Sequence, residues 1–205
     1  STDREWLVPH FEKMLYDQAL LVQVYRQAYS VLGQPQYKQV VEETIAYVLR
    51  ELRQPGGGFS SAQDADSLDA DGRSVEGAYY TWRPDEVRAA LSGADPKLAG
   101  IALEWWDITD EGNFDGRSIP NRIESRGKLA RPPVLEAARR RLLQVRSQRP
   151  APGLDDKVLT EWNALFLFAL ADAAATVRRA DWKQAAVETG EFLLRELRDD
   201  RGRWF

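Results

Sequence analysis

The sequence predicts a mainly α fold: part of an α/α toroid of helical hairpins with a small inserted β-hairpin. Three observations predict it. The first is an internal repeat: residues 37–53 (YKQVVEETIAYVLRELR) and 182–198 (WKQAAVETGEFLLRELR) align without a gap at an offset of 145, with nine of seventeen positions identical. The second is a difference between paired helices. The later helix of each copy carries one apolar stripe (Tyr37, Val40, Val41, Ile45, Val48, Leu49 and Leu52 in the first), whereas the earlier one is apolar on several sides, as in Leu20–Val22, Val24 and Tyr25, or Leu165–Ala171. An inner helix followed by an outer one, repeated, describes a two-layered ring. The third is the glycine- and aromatic-rich segment between the copies, which breaks the helical pattern. A superhelical solenoid of helix pairs is the competing reading. Its repeats are shorter and contiguous, whereas residues 54–154 separate these copies.

Taken in order, the first hairpin spans 10–53, with helices expected over 10–32 and 35–53. Residues 54–150 form a β-hairpin and insertion. "GGGFSSAQDADS" and "EGAYYTW" suggest strands at 58–63 and 77–82 joined by an acidic loop. Pro84 opens a helix, with Asp85 and Glu86 in the turn where the helix dipole favours acids. Residues 95–105 read as helix, "WDITDEGNFDGRSIPNRI" as a long ordered loop, and 132–147 as a basic helix exposed on one side. The second hairpin spans 155–199, with helices over 157–178 and 181–199, and the two hairpins are expected to superpose. All three parts are expected to belong to one toroid domain covering 1–205.

Composition narrows the function classes. The 205 residues carry a net charge of −4, with acids and bases interspersed, which gives no reason to expect nucleic acid or an anionic membrane. There is no cysteine, so disulfides, thiol nucleophiles and zinc–thiolate sites are excluded and a cytoplasmic location is favoured. No apolar run reaches membrane-spanning length; "ALFLFALADAAA" is short and contains Asp172. No signal peptide is evident, and the opening "STDREW" lacks a methionine, as expected of a piece of a longer protein.

Chemistry is expected where inner helices end. "PHFEK" and "GLDDK" precede the two inner helices and "DADS" follows the first outer helix, so three acidic segments could converge on one cavity mouth. The candidate acids and bases are His10, Asp64, Asp66 and Asp156; the candidate substrate-binding residues are Glu12, Lys13, Glu76, Tyr79, Trp82, Lys157, Trp162 and Asn163. Carboxylates supply general acid and base, and Trp82, Trp105, Trp106 and Trp162 offer flat platforms for a sugar ring. Each has an alternative. Asp155 and Asp156 suit a helix cap as well as a ligand. His10, the only histidine, is either a structural imidazole or a general acid/base. The Asp64–Gly72 segment evokes a calcium loop, but Ser67 and Ala78 occupy its first and last ligand positions, which leaves a polar turn at 67–73. No metal or cofactor is expected.

"WLVPHFEKMLYDQALL", "GGGFSSAQDADS…EGAYYTW" and "DDKVLTEWNAL" together resemble the spermatogenesis-associated protein 20 family, over nearly the whole chain. Members show Asn where this chain has Gln18 and Gly where it has Ala164. The resemblance implies a thioredoxin-like domain ahead of Ser1 and a six-hairpin toroid, similar to N-acylglucosamine 2-epimerases and six-hairpin glycosidases, of which this chain would be the first half. It implies a carbohydrate-active protein, an epimerase or hydrolase, with the isolated fragment inactive because the epimerases draw their catalytic histidines from the later part of the ring. A non-catalytic toroid that binds a carbohydrate or a protein partner is the alternative. The apolar inner helix, with Phe166 and Phe168, is expected to drive self-association of the fragment.

Overall fold

A computed structural model describes residues 2–93, 96–128 and 130–205. The chain is mainly α with a small antiparallel sheet, and it divides into two compact units. One unit comprises Glu12–Asp64 and Leu154–Phe205; the other comprises Ser1–Phe11 and Ala65–Gly153.

The first of these units holds both hairpins. Helices α1 (Leu15–Leu32) and α2 (Pro35–Glu51) form one, α6 (Thr160–Val177) and α7 (Ala180–Glu196) the other. All four helix bounds repeat at the offset of 145. So do the left-handed residues that end the earlier helices, Gly33 (φ 65°) and Arg178 (φ 57°). The closing turns repeat as well, bond for bond: Gln54 N–H to Gly58 O at 2.8 Å matches Asp199 N–H to Arg203 O at 2.9 Å, and Ser60 N–H to Leu52 O matches Phe205 N–H to Leu197 O. Helix α1 packs on α2 and on α6, and α6 on α7. Val22, Ile45, Phe59, Phe166, Leu170 and Trp182 anchor their common core. This layering follows from the apolar patterns: α1 and α6 have neighbours on two sides, and α2 and α7 keep one wet face.

The first helix of each hairpin begins later than expected, α1 at Leu15 and α6 at Thr160. Residues 10–14 are not helical, because Lys13–Met14 (β1) pairs with Ala62–Gln63 (β2), which pairs in turn with Leu154–Asp155 (β5). Backbone groups already committed to a ladder cannot start a helix. The same pairing corrects the capping reading of Asp155 and Asp156: Leu159 stands at the head of α6, with no side-chain cap.

The other unit contains the hairpin β3 (Asp66–Leu68) and β4 (Ser74–Glu76), then α3 (Pro84–Ala90), α4 (Pro96–Trp106) and α5 (Val134–Arg146). Trp82, Val87, Leu91, Ala102, Leu135 and Leu142 form its core. The start of the helix expected at 95 lies outside the described residues. The expected strands at 58–63 and 77–82 are corrected. Only Ala62–Gln63 of the former is a strand, while the latter begins in a turn, with Gly77 O accepting from Tyr80 and Thr81. Gly77 is left-handed (φ 72°), and a Cβ there would stand 2.7 Å from the ring of Phe11, so glycine is required on both grounds. The real hairpin lies inside the stretch read as a loop. Asp69 closes its turn by accepting from the N–H groups of Asp71 and Arg73 at 2.9 Å and from the Arg73 guanidinium.

Candidate functional site

In the unit built on α3–α5, the β3–β4 hairpin and the loops after Tyr79 and Phe114 border a cleft of about 660 Å³. Glu76 and Tyr79 line it, beside Arg83, Phe114, Asp115 and Arg117. Asp66 is the direct cross-strand partner of Glu76, so a candidate acid and a candidate substrate-binding carboxylate project from the same face of one ladder. Asp66 also accepts a hydrogen bond from Ser74 Oγ at 3.2 Å, while Glu76 is exposed to the cleft.

One wall of the cleft is rigid. Glu86 accepts from the Arg83 N–H at 2.8 Å, Arg117 Nη2 at 2.7 Å and Arg149 Nη2 at 3.4 Å. Arg117 also donates to Thr81 Oγ1 and O, and Arg149 donates to the carbonyls of Tyr79 (3.0 Å) and Thr81 (2.7 Å). Burial pushes the Arg149 guanidinium below its ordinary value, and Glu86 opposes the shift. The guanidinium stacks 4.1 Å from the Trp82 ring, which places Trp82 beneath the wall, 4% exposed. Trp82 and Trp106 line a separate slot of about 170 Å³. Sequence reasoning missed Arg117, an isolated basic residue in a polar stretch, and Arg149, one of several arginines at the end of a basic helix. Glu86 was read only as a dipole partner.

The remaining candidates fall elsewhere. His10 is exposed, one residue ahead of the buried Phe11. In the hairpin unit, Lys13 of "PHFEK", Ala62–Gln63 just ahead of "DADS", and Leu154–Asp155 of "GLDDK" lie in the adjacent strands of the small sheet, whereas Asp66 and Ser67 of "DADS" lie in β3 of the other unit. Glu12 and Asp64 flank its paired residues, and both are exposed. Lys13 pairs across to Gln63. Lys157 lies 3.0 Å from Asp155 and holds its carboxyl below the usual range, helped by Ser61. Asp156 is exposed and its carbonyl accepts from Gln54 Nε2 at 2.6 Å. Trp162 meets Tyr16 edge-on at 4.7 Å. Asn163 is corrected as a ligand-binding residue. It is fully buried, its Oδ1 accepts from Phe59 N–H at 2.8 Å, and its Nδ2 donates to the carbonyls of Phe59 and Leu159 at 3.0 Å. No helix among the described residues is long and apolar enough to cross a membrane.

A duplicated helical hairpin with a small sheet, interrupted by an inserted unit that carries a polar cleft, defines a hairpin-repeat protein. No family model matches the chain. Over 97% of its length it is 35% identical to human spermatogenesis-associated protein 20 and 34% identical to the mouse protein; over 98% it is 30% identical to an uncharacterized Caenorhabditis elegans protein. These matches support membership of the chain in the spermatogenesis-associated protein 20 family. The chain spans 29%, 28% and 31% of those three relatives.

Proposed function

We propose that the chain is part of an α/α toroid in a longer, thioredoxin-domain-containing protein, and that the toroid is carbohydrate-active, with epimerase- or glycosidase-like chemistry. The observation that carries this reading is the cleft in which Glu76, backed by its cross-strand partner Asp66, faces Arg83, Asp115 and aromatic side chains. Hydroxyl groups are read by charged donors and acceptors, and a sugar face by aromatic rings. A volume of 660 Å³ lies within the range of small-molecule sites, roughly 300–1,000 Å³. Titration calorimetry with a panel of mono- and disaccharides tests the reading, with Glu76→Gln as control. A sugar bound by the native chain and lost in the variant supports it; a panel with no binder sinks it.

A non-catalytic toroid that binds a carbohydrate or a protein partner is the second reading. It is favoured by exposed apolar residues on α1 and α6, including Val24 (61%), Val31 (82%) and Phe168 (60%). Binding of sugar without turnover by the full-length protein would favour that reading over catalysis.

A further inference from the structure

Helix α5 sends two arginines to one slot, and only one of them meets a carboxylate. The slot is the one of about 170 Å³ beside Trp82, in the unit built on α3–α5. Arg139, Leu142, Leu143 and Arg146 reach it from a single face of α5, at helical spacing. Trp82 ahead of α3, Trp106 at the end of α4 and Pro120 in the following loop complete it. These three are pinned by backbone hydrogen bonds. Trp82 and Ser118 exchange a pair at 2.9 and 2.7 Å, and the Asn121 N–H donates to Trp106 O at 2.9 Å. Asn113 brackets Ile119, accepting from its N–H at 2.7 Å and donating to its carbonyl at 3.2 Å, so Pro120 lies between two tied residues. The slot is formed before anything binds.

The two arginines differ in what their N–H groups find. Arg139 Nε and Nη2 both donate to Glu136, at 3.2 and 2.8 Å, the side-on fork by which a guanidinium grips a carboxylate. Arg146 has no such partner. Its Nε is buried without a hydrogen bond, and among the described residues no carboxylate pairs with its guanidinium. The Tyr79 and Tyr80 rings lie 5.2 and 5.3 Å from it. Ring faces attract the charge, but they leave the in-plane N–H groups with nothing to donate to. Among the described residues no acidic side chain lines the slot, so Arg146 is its one uncompensated cation.

We propose that this slot binds a small aromatic monocarboxylate, with the carboxylate on the Nε edge of Arg146 and the ring against Trp82 and Trp106. The carboxylate repeats on Arg146 what Glu136 does for Arg139, and it satisfies a donor that burial has cut off from water. Size sets the rest of the ligand. A cavity of about 150 Å³ is enough for benzene, so about 170 Å³ takes a single ring and leaves a peptide outside. The inference goes beyond the carbohydrate reading and makes no use of the larger cleft.

Benzoate is the probe. Titrated into the ¹⁵N-labelled 205-residue chain, it is expected to shift the indole N–H resonances of Trp82 and Trp106, with a Kd of about 1 mM or tighter for a ligand of that size. No shift at about 20 mM, where such a site is saturated, overturns the proposal. Benzyl alcohol keeps the ring and lacks the charge. It should bind about tenfold or more weakly than benzoate, the share of a charge-assisted hydrogen bond; equal affinities overturn the role of Arg146. Arg146→Gln should weaken benzoate by a similar factor and leave benzyl alcohol unchanged, and benzoate binding that survives the substitution overturns the assignment. The two ligands on the native chain decide the question even where that variant does not fold. N-acetylphenylalanine stands for the carboxyl end of a peptide and should bind more weakly than benzoate. Tighter binding would make the slot a reader of peptide ends and overturn the free-acid proposal.

Discussion

Phe59 and Trp204 hold the same place after their hairpins, at an offset of 145, yet the first is fully buried and the second is 51% exposed. The backbones around them agree hydrogen bond for hydrogen bond. Local sequence is therefore enough to shape the turn, and burial is added by whatever packs on it. For Phe59 that is Asn163 and Phe166, over a hundred residues away in sequence. This separates two contributions that are usually entangled: the energy of making a turn and the energy of covering it.

The sharpest way to break the comparison is to truncate both aromatics. Phe59→Ala removes a fully buried ring and should cost about 3–5 kcal/mol in urea denaturation, whereas Trp204→Ala should stay within about 0.5 kcal/mol as a surface change. Equal costs would mean that Trp204 is already covered, for instance by self-association. Next in size is Asn163→Ala. It leaves the Phe59 N–H and carbonyl buried without partners and should cost about 2–4 kcal/mol, since each such group is worth about 1–3. Its equivalent Gln18→Ala should cost less than about 1 kcal/mol, because Gln18 is only half-buried. Both are read as shifts of the denaturation midpoint, and the same loss from each would sink the asymmetry.

A smaller effect of opposite sign is expected at the bends between paired helices. Gly33 takes φ 65° at little cost, but Arg178 takes φ 57° with a full side chain. Arg178→Gly should therefore stabilise the chain by up to about 1 kcal/mol, while Gly33→Ala should destabilise it, although nothing crowds its Cβ position. A thermal melt of the two variants decides the signs.

The smallest expected effect concerns pH and touches only the second turn. The Arg203 N–H and guanidinium, with the Arg201 N–H, hold the half-buried Asp199 carboxyl below its ordinary value. A carboxyl lowered in the folded state stabilises above the unfolded value, and the contribution fades as pH falls through the folded one. Gln54, which does not titrate, stands at the matching place in the first turn. Acidification below about pH 4, the ordinary carboxylate range, should speed amide exchange at Arg203 but not at Gly58. An equal response at both turns would show that acid loosens the hairpins as a whole rather than this carboxylate.

The repeat made the hairpins legible, because nine identities at a fixed offset leave little room for another register. The candidate site was legible only in part. Asp66, Glu76 and Tyr79 do gather at or beside one cleft, but the strands that bring Asp66 and Glu76 together were read as a loop. Serine, aspartate and glycine propensities favour turns there, and a two-stranded ladder of three residues is too short for alternation to announce it.

The sequence by itself determined the mainly α class, the inner and outer character of the helices, their C-terminal ends to within about three residues and the polar turn closed by Asp69. Those features depend on spacings within one turn or one strand, which neighbouring residues fully express. Only the tertiary structure decided that Asn163 serves the Phe59 backbone rather than a ligand. Packing alone likewise decided that residues 10–14 pair as a strand rather than begin a helix, and that Arg117 and Arg149 tie Glu86 into a cleft wall. In each case a polar group is satisfied by a partner 30 or more positions away, and no local pattern records which of many equally suitable partners the packing will supply.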